Sequence, residues 1–322
     1  MAIIDVYPGG KTAIQDAVSA ANEGDVLLVH RGVYCENVQI SGAKNNIRIL
    51  AKERHRAVLS GNSSLSEAFA LKGVAGVVIE GFRISSYRSS GIRVCRGKSN
   101  RILHNEIEAI DGEKQPMGIV IKHSVGNLIM RNTIEQIGSA SSDVLSGRGI
   151  GLRGGMGNWI VQNKLQHNAS HGIEILVSHH NAIAGNRISR NKGNGIVIRR
   201  SDNNLILENQ LHNNGRNGFH AQSTNNYILN GSAQGNHGNG LLLDSNYNLA
   251  GFNHIQANEQ SGMIVISDFN DMLENAVARN NKNGIWIQAP HTANLVFENR
   301  LQHNRPQNLK DDGVNNNSIQ NE

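Results

Sequence analysis

Apolar residues recur along most of this chain in alternations too short to be helices. The segment from Asn194 to Asn217, NGIVIRRSDNNLILENQLHNNGRN, holds three: Ile196-Val197-Ile198, Leu205-Ile206-Leu207, and Leu211 alone. Each has the two-residue period of a strand, with side chains turned alternately inward and outward. Asn, Asp and Gly separate them, residues that accept left-handed or Asx-turn geometry and so make sharp corners. A Gly-apolar pair opens the pattern and returns at Gly149-Ile150, Gly172-Ile173, Gly195-Ile196, Gly218-Phe219, Gly240-Leu241, Gly262-Met263 and Gly284-Ile285, in steps of 23, 23, 23, 22, 22 and 22 residues. Self-similarity at a fixed period of this size marks a solenoid, whose repeats bury their apolar faces only by stacking. The prediction is an all-β parallel β-helix with three strands per coil and a rise of about 4.8 Å per coil.

Two asparagine series accompany the corners. One runs through Asn100, Asn127, Asn158, Asn181, Asn204, Asn226, Asn248, Asn270 and Asn294, the other through Asn105, Asn132, Asn163, Asn186, Asn209, Asn230, Asn253, Asn275 and Asn299. Stacked in register, their amides would form hydrogen-bonded ladders. They are expected to be structural posts rather than binding groups.

No Pro-, Ser- or Gly-rich linker interrupts the repeats, so residues 1–322 are expected to form a single domain. Residues 1–25 form an N-terminal cap, 26–304 the coils, and 305–322 a polar tail with a partial last turn at 315–319. Within the cap, Ile14, Ala17, Val18 and Ala21 share one helical face, which predicts a capping helix over 12–22 that ends before Gly24. A cap covers a sheet edge that would otherwise pair with another chain. Val26 to Val29, Val38 to Ile40, Ile47 to Leu50 and Val58-Leu59 read as the first, irregular strands.

Composition then narrows the picture. The chain is 38% hydrophobic and 4% aromatic, low for a globular core but enough for a narrow column of Ile, Val and Leu. A net charge of +5 favours anionic partners. Nucleic acid is disfavoured among them, since interleaved aromatics for base stacking are missing. Cys35 and Cys95 lie coils apart and are expected to be free thiols. No stretch approaches a membrane span, and the first residues carry no signal-peptide core. The compartment expected is cytoplasmic, or extracytoplasmic where a leader has been removed. The sequence leaves the oligomeric state open.

The segment IQDAVSAANEGDVLLVHRGVYCENV, followed by repeated GIxIxxSxxNxIxxNxI coils, resembles the pectate-lyase-like right-handed parallel β-helix superfamily over nearly the whole chain. That resemblance implies a right-handed helix and a choice among polysaccharide lyases, uronan C5-epimerases, inverting glycoside hydrolases, tailspikes and non-catalytic sugar-binding or metal-accessory proteins. Fold alone does not choose among them. The Asp-Pro-His-Asp string of alginate epimerases and the motif set of polygalacturonases are both missing here.

Alternation writes out the outward residues of the Gly-apolar strands as columns. The first reads Arg93, Val120, Gly151, Glu174, Val197, His220, Leu242, Ile264, Trp286; the second reads Lys72, Cys95, Lys122, Arg153, Leu176, Arg199, Gln222, Asp244, Ile266, Gln288. Basic residues gather in the earlier coils, with His123 and Arg200 just beyond their strands. The coils from Gly91 to Gly118 and from Gly118 to Gly149 are also the long ones, at 27 and 31 residues, with the surplus at 109–117 and 137–148. Long loops on a rigid scaffold are where binding sites form.

These columns predict a groove for an acidic, uronate-containing poly- or oligosaccharide. Lys122, Glu174 and His220 are the candidate catalytic groups, and Arg153, Arg199, Arg200, His123 and Asp244 the candidate binding groups. The chemistry that fits is removal of the proton α to a carboxylate, the step shared by β-elimination lyases and C5-epimerases. Glu174, expected to face outward between Arg153 and Arg199, could instead help hold Ca²⁺; no other cofactor is indicated. The competing reading is a non-catalytic sugar-binding or metal-accessory protein using the corner histidines His179, His180 and His291. An inverting hydrolase comes third: Glu174 and Asp244 stand three coils apart, about 14 Å, beyond the roughly 6.5–9.5 Å such a pair needs.

Overall fold

The computed structural model describes residues 1–112, 115–139 and 146–322. The chain divides into two compact units, Met1–Ala169 and Ser170–Glu322, and both are built from the predicted three-strand coil. In the second unit one coil consists of Ile196–Arg199, Leu205–Leu207 and Gln210–His212. Each strand pairs in parallel with its equivalent one period on, Ile196 with Phe219, Leu205 with Tyr227 and Gln210 with Ser232. In the first unit Ser90–Cys95, Arg101–Leu103 and Glu106–Glu108 pair likewise with Met117–Lys122, Leu128–Met130 and Thr133–Glu135. Three sheets result, here termed the first, second and third walls in chain order from the Gly-apolar strand.

The hydrophobic pattern explains the walls. On the second and third walls the middle residue of a three-residue strand points inward and its neighbours outward, so Ile206 and Leu211 are buried between partly exposed flanks. On the first wall Ile196 and Ile198 both enter the core. The glycine before this strand is required by close approach. A Cβ added at Gly240 would lie 2.7 Å from the Gly262 carbonyl oxygen and 2.8 Å from Asn258 Nδ2, inside van der Waals contact.

Three asparagine ladders are present where the sequence pattern gave two. In the first, the Oδ1 of Asn226 accepts from Asn204 backbone N at 3.0 Å and Nδ2 at 3.1 Å. Asn226 Nδ2 then donates to Asn248 Oδ1 at 3.3 Å. The second ladder omits Asn230, which is exposed with a φ of 53°; the rung belongs to Gly231, whose N–H donates to Asn253 Oδ1 at 2.9 Å. The third ladder runs through Asn191, Asn214, Asn236, Asn258, Asn280 and Asn304. Each of the first five stands four residues before a Gly-apolar pair, or before Gly195, Gly218, Gly240, Gly262 and Gly284 respectively, so this signal was present in the sequence.

At the N-terminus an unforeseen strand, Ile3–Val6, pairs with Val26–Val29, and Gly32–Tyr34 is a second. The capping helix spans Ala13–Ala20 and buries Ile14 and Val18. It stops well short of Gly24 because Ala21 already adopts extended geometry. Its first amides, Ile14 N and Gln15 N, are capped from a distance by the Glu36 carboxylate at 3.0 and 2.8 Å. Residues 305–322 are more than a loose cover: Leu309–Asp311 and Asn317–Ile319 extend the first and second walls. Cys35 and Cys95 are free thiols. Among the described residues no helix is long and apolar enough to cross a membrane.

Two substitutions separate the ladder from its surroundings. Asn226→Ala strips the buried N–H of Asn204 of its acceptor and should cost about 1–3 kcal/mol or more, whereas Asn230→Gly, at an exposed position whose φ of 53° glycine accepts, should stay within about 0.5 kcal/mol of the parent. Gly240→Ala, which overpacks the corner, should cost roughly 1–3 kcal/mol. Chemical denaturation monitored by circular dichroism measures all three.

Candidate functional site

In the second unit, register carries polar residues from neighbouring coils onto the outer face of the first wall. Glu174 lies beside Val197 and Val197 beside His220, while Leu176, Arg199 and Gln222 line up two residues further on. The predicted columns therefore exist within this unit. Their side chains join into one hydrogen-bonded chain. Arg199 Nη1 donates to Glu174 Oε1 at 3.1 Å, and Arg199 Nε to Gln222 Oε1 at 2.9 Å. Gln222 Nε2 donates to Asp244 Oδ2 at 2.9 Å, and His220 Nε2 meets the same oxygen at 3.2 Å.

Glu174 faces outward as expected but is not exposed, with its side chain only 3% accessible. A carboxylate this buried must be paired, and Arg199, 37% accessible, supplies the charge while keeping an edge toward solvent. Asp244 is held by two donors. Because a carboxylate only accepts, the hydrogen between it and a neutral His220 sits on Nε2, leaving the lone pair on Nδ1. The imidazole is 14% accessible. Burial pushes its pKa below the ordinary histidine value, against the opposing pull of Asp244 and with a further lowering by Arg199 and Arg216. Asp244 thus orients the ring, and burial favours its neutral form. Arg200 lies at the exposed corner with a φ of 49° and takes no part in this chain of contacts.

The first unit carries a shallow basic concavity lined by Ser89, Arg93, Gln115, Met117, Val120, Lys122 and Arg153. Lys122 and Arg153 are adjacent in register, and Arg153 Nη2 donates to Gln115 Oε1 at 3.1 Å. Gln115 belongs to the 109–117 insertion, so that loop does form a lip over the basic column. Residues 113–114 of that insertion, and 140–145 of the 137–148 insertion, lie outside the described residues. Arg93 is less available than its column position implied, because its guanidinium pairs with Glu67, which the sequence reading passed over, and with Ser89 Oγ at 2.8 Å. Glu67 stands one coil back at the position of Ser90, so comparing equivalent places across coils could have found it. Among the described residues Lys122 has no ion-pair partner, and His123 is exposed at the corner beyond it.

Corner histidines are tied into turns. His179 Nδ1 accepts from Asp202 N at 3.1 Å, and His291 Nδ1 lies 3.3 Å from Asp268 Oδ1. Among the described residues no group of three or more His, Cys, Asp or Glu is placed to hold a metal ion.

A test follows from the His220 environment. Asp244→Asn removes the group that favours the imidazolium, so the His220 pKa should fall further, as read from histidine ring resonances in an NMR titration. The linked stability has a definite sign. His220 binds its proton less readily folded than unfolded, so its contribution is complete above the ordinary value of about 6.5 and is lost as pH falls through the lowered folded value.

Residues 117–246 and 183–321 match a family model described as "Right handed beta helix region". Residues 10–143 match one described as "Periplasmic copper-binding protein (NosD)". No curated protein matches the chain. Similar solved structures include the A-module of Azotobacter vinelandii mannuronan C-5 epimerase AlgE4, with 13% identity, a TM-score of 0.78, and coverage of 99% of this chain and 100% of that one. The A-module of AlgE6 from the same organism has 14% identity, a TM-score of 0.73, and coverage of 97% and 93%. The Streptococcus pneumoniae surface protein and adhesin PfbA has 13% identity, a TM-score of 0.68, and coverage of 96% of each chain. At such identities the likeness is one of fold.

Proposed function

The chain belongs to the right-handed β-helix family, and from that premise we propose that it acts on an acidic, uronate-containing poly- or oligosaccharide by abstracting the C5 proton. The observation that carries this reading is the His220–Asp244 pair beside Arg199 on the outer face of the first wall. His220 Nδ1 takes the proton α to the sugar carboxylate. The C–H electron pair moves into the carboxylate, where the half-exposed Arg199 guanidinium stabilises the added charge. Glu174 and Gln222 hold Arg199 in place, and Asp244 fixes the imidazole orientation and stabilises the imidazolium. From that intermediate, expulsion of the 4-oxygen, which then takes up a proton, gives an unsaturated uronate. Return of a proton to the opposite face gives the C5 epimer. The similarity in fold to epimerase A-modules supports uronan chemistry in general. The basic concavity of Lys122 and Arg153 supplies a second anion-binding place, with Lys122 as the alternative base.

The test is incubation with alginate, pectate and glycosaminoglycans in deuterated water. Deuterium should enter at C5, with ultraviolet absorbance of an unsaturated uronate added if elimination follows. His220→Ala should lower the exchange rate roughly a hundred- to ten-thousand-fold, and Lys122→Ala should leave most of it. The rate should fall on the acid side only below the ordinary imidazole value of about 6.5, because the neutral base persists to lower pH. Absence of exchange with every polymer would sink the reading.

A metal-accessory role is the second reading, supported by the match of residues 10–143 to the copper-binding family model. Stoichiometric copper binding by the whole chain, unchanged in His220→Ala, together with no C5 exchange, would favour it.

A further inference from the structure

The first column of the second unit does not end at His220. Register continues it through Leu242, Ile264 and Trp286 to Lys310, all half-buried on the outer face. Beyond the polar cluster the wall therefore becomes an apolar track that ends on an indole. That indole is held in one orientation. Trp286 Nε1 donates to Asp312 Oδ2 at 2.9 Å, and the Lys310 ammonium lies 4.7 Å from the ring centroid. Lys310 and Asp312 are themselves 2.8 Å apart. Gln288, two residues after Trp286, projects on the same side of the strand. The contacts with Lys310 and Asp312 tie this coil to the next and fix the ring, which remains only half-buried on the outer wall with a cation and a carboxylate at its border. The core of this coil is already filled by Ile285 and Ile287.

From this arrangement we infer that Trp286, Lys310 and Gln288 form a distal subsite for a uronate residue of the same chain whose reacting sugar sits at His220. The indole offers an apolar surface to the C–H face of the pyranose, and Lys310 meets its carboxylate. Gln288 supplies hydrogen bonds to hydroxyls, the mix of apolar surface and a few placed polar groups that ligand sites use. His220 and Trp286 are three coils apart, about 14 Å, the length of a short oligosaccharide rather than a monosaccharide. The substrate class that follows is a linear oligomer or polymer lying along the coil-stacking direction, with Leu242 and Ile264 beneath its middle residues. This inference rests on the proposed reading of the wall as a sugar-binding face, but its test does not depend on catalysis.

The chain has two tryptophans, Trp159 and Trp286, so Trp159→Phe leaves one indole as a reporter. Titration of that variant with alginate- and pectate-derived oligosaccharides should shift or quench the emission in a saturable way. The free monosaccharide uronates and neutral cello-oligosaccharides should leave it unmoved at equal concentration. Trp286→Phe, checked for an unchanged melting midpoint, should weaken oligouronate binding about tenfold by calorimetry. Lys310→Ala, which leaves the ring in place, should weaken it several-fold. Emission that does not respond to any oligouronate, or that responds equally to neutral oligosaccharides, overturns the inference. A saturable oligouronate response without C5 exchange upholds this subsite and overturns the catalytic reading alone. Exchange at C5 with unmoved emission and an unchanged KM in Trp286→Phe overturns the subsite alone.

Discussion

Everything in this fold depends on one requirement: a corner buried between stacked coils must have its backbone donors satisfied by the coil beside it. Water does not reach these corners, and an unmet N–H there costs about 1–3 kcal/mol. Asparagine meets the demand because one amide both accepts and donates, so a single residue can close its own corner and the next. Asn226 accepts through Oδ1 from one coil and donates through Nδ2 to the other. Once three corners are pinned in this way, neither the register nor the length of the strands is free. Where the rung becomes Gly231, only the backbone N–H remains to make the bond.

Fixed register is also what turns a repeating scaffold into a chemical surface. Residues far apart in sequence arrive side by side because they hold the same place in successive coils. The line from Glu174 through Arg199 and Gln222 to Asp244 and His220 crosses four coils with hydrogen bonds of 2.9–3.2 Å. Each member orients the next, so the imidazole and the guanidinium are held by rigid strands rather than by loops. Burial within this line keeps His220 neutral, since a charged ring would lose more hydration than Asp244 returns.

The coil, its strands and the column register were legible in the sequence because they follow from period alone. The outward order of Glu174, Val197 and His220 needed nothing beyond alternation. What stayed hidden depended on which neighbours close over a residue. Glu174 occupies an outward place, yet the Arg199 side chain and the wall around it remove nearly all its solvent contact, and alternation carries no information about that. Glu67 was missed because it lies in an irregular coil before the Gly-apolar pair is established. Asn230 was misplaced by one residue because the true rung is a glycine, which leaves no amide to recognise. The corners also proved more permissive than composition implied: Tyr247 and Phe269 both adopt left-handed geometry and stack on each other at 5.1 Å, where Asn or Gly was the natural expectation.

The ladders have a direction. Along a run such as Asn204 to Asn226 to Asn248, the side-chain oxygen accepts from the asparagine of the preceding coil and the side-chain nitrogen donates to the asparagine of the following one. A coil of 22 or 23 residues therefore carries matching connectors on its two faces, like a part with a plug on one side and a socket on the other. Such a part can be duplicated or deleted whole without leaving either neighbour unmatched, while extra residues are taken up between rungs, as where Asn100, Asn127 and Asn158 stay bonded across spacings of 27 and 31 residues. Change in a chain of this kind is quantised. Reactive groups on the first wall can be moved apart or together in steps of about 4.8 Å, and the spacing between a reacting sugar and a distant anchor becomes a count of coils.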